Sequence, residues 1–483
     1  MRVTELSIGG RPVASANGAT FERSNPGSGM PVTRAAAAGA VDAIAAASAA
    51  ARALPVWSEQ GPAARRRILS RAADLMESRT TEFVDTMMEE TGATRIWSLH
   101  NVEAASGMLR EAASMTTQVS GEIIPSDQPG CLSMAVREPV GVVLGIAPWN
   151  APVILGTRAI AMALACGNTT VLKASEICPG THSLIVEVLC EAGAGDGAVN
   201  LITHAPGNAE PVVDALIGHD AVRRINFTGS TRVGRLIAMK AAAQLKPVLL
   251  ELGGKSPLLV LDDADIDKAV GAATFGAFFH QGQICMSTER IVLTPLVAET
   301  FATRFAQRAT QLSLGDPRLG EFQLGTLISR ESGERLAALI DDAVSKGAKL
   351  IAGGKPTGVL MPATVLDHVT SEMKIYGEES FGPVVCLVRA KDEPDAVAIA
   401  NDTEYGLAAA IFSRDVERAL KLAKRLTTGG CHINGATVND EPQVPFGGTR
   451  SSGYGRFGGK AGIAEFTELR WVTIEDGPAR FPI

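Results

Sequence analysis

Seven cysteines are spread along the 483-residue chain, and Cys285 differs from most of them in its setting. It lies in Gly282-Gln283-Ile284-Cys285-Met286-Ser287, a turn expected between a helix and a strand at 289–294, whereas Cys166 and Cys190 fall on helices. A thiol in such a turn could act as a nucleophile, because the thiolate is the attacking form and needs positive potential or a base nearby. No cation lies within four residues, so activation must come through the fold, and spacing alone does not separate Cys285 from the other six. Glu251 ends the apolar run Val248-Leu249-Leu250-Glu251-Leu252, just before Gly253-Gly254. A carboxylate there is unfavourable unless it is paired or wanted as a base with a raised pKa. Asn150, Ile154 and Arg158 recur every four residues, and Arg158 is the lone charge in Ala151–Gly167. An amide and a guanidinium then share one helix face. Burying an unpaired cation is strongly unfavourable, which leaves Arg158 a structural ion pair or a ligand to hold.

Two further segments could meet a phosphate or a sugar. The strand Arg224–Phe227 runs into Thr228-Gly229-Ser230-Thr231-Arg232-Val233-Gly234 and then a helix, so backbone N–H groups at a positive helix end could approach an anion. It lacks the full GxGxxG pattern and reads equally as an ordinary strand-to-helix turn. Lys173 and Glu176 follow another strand end and could hold a ribose, or simply be solvated charges.

The elements that must position these groups show a change of pattern along the chain. Residues 34–53 are rich in alanine, with Thr33 as the expected N-cap, and with 62–78 and 80–91 they read as a helical N-terminal stretch. From Val140 short β-rich runs alternate with helical ones: 142–147, helix 152–166, 169–173, helix 179–192, 199–203, helix 207–217, 224–227, helix 231–243, 248–252. That alternation predicts βαβ units and a parallel sheet covered by helices. A second alternating block starts after 252–256. Val119–Val136 reads as a hairpin turning at Asp127–Gly130, and the segment FTELRWVTIEDG as a strand, neither with an obvious partner inside a βαβ unit.

Composition narrows the class. Hydrophobic residues make up 46% and charged residues 20%, an ordinary globular balance. At roughly 150 residues per domain the length suggests about three domain-sized units. Lys plus Arg is 45 against 52 Asp plus Glu, with no basic block, so nucleic acid is not an expected partner. The odd cysteine count without CxxC points to a reducing compartment and to neither a disulfide framework nor a bound metal. No secretory h-region is read at 1–10, and the longest uncharged run, 139–157, is interrupted by Pro148, Asn150 and Pro152. The expectation is a cytoplasmic protein without a membrane span.

Pro148-Trp149-Asn150, LKASE, FTGSTRVG, LELGGKSP, GQICMS, EESFGPV, Asn434-Gly435 and PFGGTRSSGYGR occur in order from one end of the chain to the other. By these segments the chain resembles the aldehyde dehydrogenase superfamily. In NFTGSTRVG, LELGGKSPL, QGQICMSTERI and MPAT it looks most like the salicylaldehyde, vanillin and benzaldehyde dehydrogenases. The resemblance implies that Cys285 attacks the aldehyde carbon, that Asn150 and the Cys285 N–H hold the oxyanion, and that Glu251 activates water against the thioester. It implies further that Trp149, Lys173, Glu176, Gly229, Ser230, Glu379 and Phe381 bind NAD, with NADP disfavoured because Glu176 repels a 2′-phosphate. Trp97, Ile154, Arg158, Ile284, Met286 and Phe446 are the expected substrate pocket, or plain core packing. A guanidinium at 158 facing that pocket suggests a polar or anionic substituent on the substrate.

The implied fold is α/β and aldehyde dehydrogenase-like. Residues 1–116 and 137–251 form a doubly wound NAD-binding domain and 252–445 a catalytic domain; 117–136 with 462–483 form a small β element that pairs across subunits of a homodimer or homotetramer. The implied reaction oxidises an aldehyde, aromatic by texture, to the acid. An aliphatic or semialdehyde enzyme, with Arg158 on a distal carboxylate, is the alternative within the class. A non-catalytic protein keeping the fold is the alternative outside it, and retention of Asn150, Glu251 and Cys285 together argues against that reading.

Overall fold

The central runs Val142–Ile146, Thr169–Lys173, Val199–Ile202, Val222–Thr228 and Val248–Glu251 are mostly apolar, and all but two of their residues are buried. Strands hidden on both faces belong in a parallel sheet roofed by helices, and a parallel sheet is what they form. A computed structural model describes residues 1–476. In space the first sheet runs Gly453–Tyr454, Val248–Glu251, Val222–Thr228, Val142–Ile146, Thr169–Lys173, Val199–Ile202, Leu6–Ile8, Arg11–Val13. The five central strands are parallel, and the strands beyond them at either end pair antiparallel.

Chain order reverses between Val142–Ile146 and Val222–Thr228. One half of the sheet grows away from the first strand through 169–173 and 199–202, the other through 222–228 and 248–251. A crevice therefore opens beyond the carboxyl ends of these two strands, the place where open α/β sheets take ligands. Trp149-Asn150 and Gly229-Ser230 follow those two strand ends.

The short link Leu252–Lys255 carries the chain into a second sheet, ordered Lys349–Ala352, Thr364–Asp367, Val384–Arg389, Thr288–Leu293, Ser256–Val260, Ala408–Phe412, Gly430–Ile433. All its neighbours are parallel except the first pair. Carboxyl ends of the first sheet thus face amino ends of the second, and Cys285 sits just ahead of Thr288–Leu293. Helices Ala40–Ser58, Pro62–Ser78, Thr80–Thr91 and Arg95–Met115 form the N-terminal helical layer. Ala40–Ser58 is long and apolar enough to cross a membrane by length and composition, yet Ala43, Ala46, Ala47 and Ala50 are fully buried in the core beside the first sheet.

Several expectations are corrected. Thr33 is not a helix cap: it lies within the strand Pro31–Ala36, paired with Arg2–Thr4 and Thr20–Ser24, and the helix begins at Ala40 after Gly39. The alanine run reads as helix by local propensity, but pairing on both sides, as the central strand of a three-stranded sheet, overrides it. The expected helix 152–166 is two pieces, Pro152–Arg158 and Ala161–Ala165. The carbonyl of Ala159 turns aside to accept the buried Asn226 amide at 2.9 Å, which compensates the broken ladder. The hairpin and the C-terminal strand, expected in one β element, do lie in one sheet outside the βαβ units: Glu122–Ile124 pairs with Cys131–Pro139, and Thr467–Glu475 with Cys131–Pro139 over nine residues of the same chain. Part of the 462–483 element, residues 477–483, lies outside the described residues.

Asn168 ties this three-stranded sheet to the first one. Its amide donates to the Phe466 carbonyl at 2.8 Å and the Ala163 carbonyl at 3.0 Å, and its oxygen accepts from Gly141 N–H at 3.0 Å. Asn168→Ala strands the Gly141 N–H and the Phe466 carbonyl, while the Ala163 carbonyl keeps the backbone N–H of residue 168, and the urea midpoint should fall by the equivalent of about 2–4 kcal/mol.

Candidate active site

Glu251 ends its strand because the backbone there is gripped from both sides. Its carbonyl accepts the Gly229 N–H at 3.0 Å, and Gly453 pairs opposite it. Ser452 receives the Leu252 N–H on its carbonyl at 3.1 Å and donates its hydroxyl to the Gly253 carbonyl at 2.6 Å. Gly453 has φ +102°, and a Cβ there would fall 2.0 Å from the Leu250 carbonyl oxygen, so the glycine is required for the clamp. The clamp holds the Glu251 carboxylate in a residue 1% exposed, with neither oxygen hydrogen-bonded. Burial pushes it up to about 7; the Cys285 thiol and the Arg158 guanidinium pull the other way and Asp440 adds to the rise.

Cys285 is half-buried and shares with Glu251 a cavity of about 280 Å³. Pro148, Trp149, Asn150, Thr228, Gly229, Ser230, Gly253, Glu379 and Phe381 complete its wall. The thiol is held well above its ordinary pKa by burial and by the two carboxylates, Glu251 and Glu379. It is therefore a neutral thiol beside a carboxylate that titrates near neutrality. Asn150 donates its amide to the Gln283 carbonyl at 2.9 Å, which fixes the amide plane next to the nucleophile turn and leaves its second N–H uncommitted.

Glu379 is placed by a buried ion pair that was not evident from the sequence. Lys255 Nζ lies 2.7 Å from Glu289, both side chains almost inaccessible. The Glu289 carboxylate also accepts the Ser380 hydroxyl at 2.5 Å, the Ser380 N–H at 3.0 Å and the Phe381 N–H at 3.1 Å. This holds Phe381 at φ +47°, a left-handed conformation uncommon for an aromatic residue, with its ring edge-on to Trp149 at 5.8 Å. Glu379 itself accepts the Gly254 N–H at 2.9 Å and is pushed up to about 8 by burial, with Glu289 adding to the rise. A Cβ on Gly253 would meet that carboxylate at 2.5 Å.

The residues expected to hold a cofactor fall into two groups. Ser230 caps the helix Thr231–Ala242 at the crevice, so its positive end faces the same cavity as Gly229. Lys173 and Glu176 lie past the neighbouring strand end, and the buried imidazole of His204 stands 3.7 Å from Glu176. His204 Nδ1 lies 2.9 Å from the Ala205 carbonyl, and Nε2 is buried with no partner. Burial and Lys173 lower its pKa to about 4, so Nε2 is a bare acceptor. Carboxylate, bare imidazole nitrogen and ammonium together suit the vicinal hydroxyls of a ribose.

Of the expected substrate pocket, Trp97, Ile154, Ile284 and Met286 belong to one core cluster that Cys285 and Phe446 border. Trp97, Ile154 and Ile284 line none of the cavities described here. Trp97 lies behind Asn150: its indole donates to the Asn150 carbonyl at 2.9 Å and its ring stacks on His280 at 4.9 Å. Met286 and Phe446 line a second cavity of about 230 Å³, and Arg158 with Phe446 a small one of about 30 Å³. Of the two readings open for Arg158, an ion pair or a ligand to hold, the structure shows the ion pair: Arg158 is paired with Asp440 and lies over the rings of Phe446 and Phe457, 4.7 and 5.7 Å from their centres. Asp440 is 282 residues away in sequence, and no local signal marks it.

The family pattern of the aldehyde dehydrogenases matches residues 13–472. A vanillin dehydrogenase of Pseudomonas fluorescens is 56% identical over 478 residues, 99% of each chain. An NAD(+) benzaldehyde dehydrogenase of Pseudomonas putida is 40% identical over 443 residues, 91% of this chain and 90% of the relative. The crystal structure of a salicylaldehyde dehydrogenase from Pseudomonas putida G7, complexed with salicylaldehyde, superposes with a TM-score of 0.98 at 50% identity over the whole of both chains. With matches of this extent, the chain belongs to the aldehyde dehydrogenase family and is an oxidoreductase acting on aldehydes.

Proposed function

We propose that this protein oxidises aromatic aldehydes to carboxylic acids with NAD, using Cys285 as nucleophile, Asn150 as oxyanion donor and Glu251 as general base. The observation that carries the reading is the pairing of a neutral thiol with an unpartnered buried carboxylate, held at about 7, in one cavity. The relatives named for vanillin, benzaldehyde and salicylaldehyde support the aromatic class. Arg158 already has its partner in Asp440, which counts against a semialdehyde whose distal carboxylate it would hold.

The Cys285 thiol gives up its proton to solvent water as Sγ bonds to the aldehyde carbon, and the carbonyl oxygen gains charge toward the Asn150 amide and the Cys285 N–H. One such donor typically lowers the barrier by ~3–4 kcal/mol. A nicotinamide held beside Glu379 and Phe381 would supply the hydride acceptor by which that carbon reaches the oxidation level of a thioester on Cys285. Glu251 then removes a proton from a water that attacks the thioester; the carbon–sulfur bond breaks and the acid is released. Glu379 and Phe381 border the nicotinamide end of the site, and Lys173, Glu176 and His204 the adenosine ribose. A carboxylate at Glu176 favours a free 2′-hydroxyl, hence NAD over NADP.

We assign residues 1–116 and 137–251 to cofactor binding, 252–445 to catalysis, and 117–136 with 462–483 to assembly. Leu469, Trp471 and Ile474, 60, 74 and 55% exposed on the outer strand of the three-stranded sheet, support a homodimer or homotetramer. Seven free thiols support a reducing, cytoplasmic setting.

Cys285→Ala should abolish NADH formation from benzaldehyde, salicylaldehyde and vanillin; undiminished turnover would remove the thiol from its role. Glu251→Gln should retain a first burst of NADH while acyl-enzyme accumulates, detected by mass spectrometry of the intact protein. Loss of the burst would move Glu251 to the earlier step, deprotonation of the thiol. Because a base works only when deprotonated, single-turnover hydrolysis of the acyl-enzyme should fall as pH drops through about 7, approaching tenfold per pH unit below it. A flat rate from pH 6 to 8 would exclude Glu251 as that base. Glu176→Gln should narrow the difference between NADH and NADPH affinities by about tenfold in a fluorescence titration, and an unchanged ratio would place cofactor selection elsewhere.

A further inference from the structure

Two buried hydroxyls tie the turn that carries Cys285 to the loop after the strand Gly430–Ile433. Thr437 on that loop places its Oγ1 2.7 Å from the Met286 carbonyl oxygen and 2.8 Å from Oγ1 of Thr288. A carbonyl can only accept, so the Thr437 proton goes to Met286 and Thr288 donates in turn to Thr437. Room for the two oxygens is left by Gly276 on the helix Ile266–Phe278, where a Cβ would fall 2.3 Å from Thr288 Oγ1. The bonds continue inward. The Met286 carbonyl and the Ser287 N–H belong to one peptide plane, and that N–H donates to the Ile284 carbonyl at 2.9 Å. The Ile284 carbonyl shares the next plane with the Cys285 N–H. Every donor in the series therefore points the same way, from the loop toward the nucleophile.

We propose that Thr437 is a positioning residue for the oxyanion, fixing and polarising the Cys285 N–H through the peptides of Met286 and Ile284. The inference rests on the reading of that N–H as an oxyanion donor. Resonance couples the two ends of each peptide plane, so a hydrogen bond accepted at the oxygen draws charge from the nitrogen and strengthens its N–H as a donor. Successive bonds in such a chain reinforce one another, the more so in surroundings closed to water. The relay also limits tilting of the two planes, and the Ser287 hydroxyl adds a bond to the Gly282 carbonyl at 3.1 Å across the same turn. The two oxyanion donors then have separate supports: Gln283 and Trp97 hold Asn150, while Thr437, 151 residues beyond Met286, holds the Cys285 N–H. Removing an oxyanion donor outright costs about 10²–10³ in kcat, and weakening one from two peptides away should cost about tenfold.

The test sets Thr437→Val, which keeps the outline of the side chain and removes its hydroxyl, against Thr437→Ser, which keeps the hydroxyl. With benzaldehyde at saturating NAD, the pre-steady-state burst of NADH should be about tenfold slower in Thr437→Val and largely restored in Thr437→Ser. Alkylation of Cys285 by iodoacetamide, followed by peptide mass mapping, distinguishes a weakened N–H from a displaced thiol, because that substitution develops no oxyanion. Its rate in both variants should match the wild type. Thr288→Val, which leaves Thr437 without a donor of its own, should slow the burst in the same direction by less, and it carries the test if Thr437→Val does not fold. An unchanged burst in the folded variant would overturn the proposal, and so would an equal loss in Thr437→Ser or alkylation slowed in step with the burst. Asn150→Ala exposes failure of the underlying reading: if its burst is also as fast as wild type, the oxyanion site itself is misassigned, whereas a slow burst in Asn150→Ala beside an unchanged one in Thr437→Val removes the relay alone.

Discussion

Glu251 is a carboxylate held out of water without a donor, and the surrounding architecture is what makes that tolerable. A group so placed can relieve its unfavourable environment by taking up a proton, which is why burial drives it to about 7. Its position between two sheets follows from topology: it ends the last parallel strand of the first, and four residues later Lys255 leads into the second. Dry surroundings at the carboxyl edge of one sheet and the amino edge of the other thus yield a base suited to neutral pH.

The same dryness raises the other titratable groups around the cavity. Glu379 and Cys285 are both pushed upward, so burial favours the protonated form of each beside Glu251. The charged pair that organises it, Lys255 with Glu289, stands just behind the wall, where Glu289 accepts hydrogen bonds from Ser380 and Phe381. Breaking either member of such a pair leaves an uncompensated buried charge, so the pair gives the Glu379–Phe381 turn a single conformation. On the opposite side, Trp97 and Gln283 fix the carbonyl and the amide of Asn150. The Glu379–Phe381 turn and Asn150 are therefore positioned by contacts distant in sequence.

Much of the layout was legible from residue order. The βαβ alternation after Val140 gave parallel strands where expected, and the link at 252–256 separates the two sheets. Local reading failed where tertiary contacts outweighed propensity. Alanine at 35–36 favours helix, yet pairing with Arg2–Thr4 and Thr20–Ser24 makes it strand. The helix after Pro152 breaks because a strand side chain, Asn226, offers the Ala159 carbonyl a better partner than the next turn does. Short strands such as Ala408–Phe412 and Gly453–Tyr454 carry too little periodicity to be read alone.

Residue types marked a thiol, a carboxylate and an amide as candidates, because nucleophilicity, basicity and hydrogen-bond donation belong to side chains, and the resemblance carried by the order of the motifs separated Cys285 from the other six cysteines and implied the reaction class. Protonation state and pairing do not. That Glu251 is unpartnered, that Lys255 supports Glu379 through Glu289, and that Arg158 is neutralised by Asp440 depended on the folded chain. Desolvation and charge pairing act over a few ångströms of space, and the groups concerned lie up to 282 residues apart along the chain.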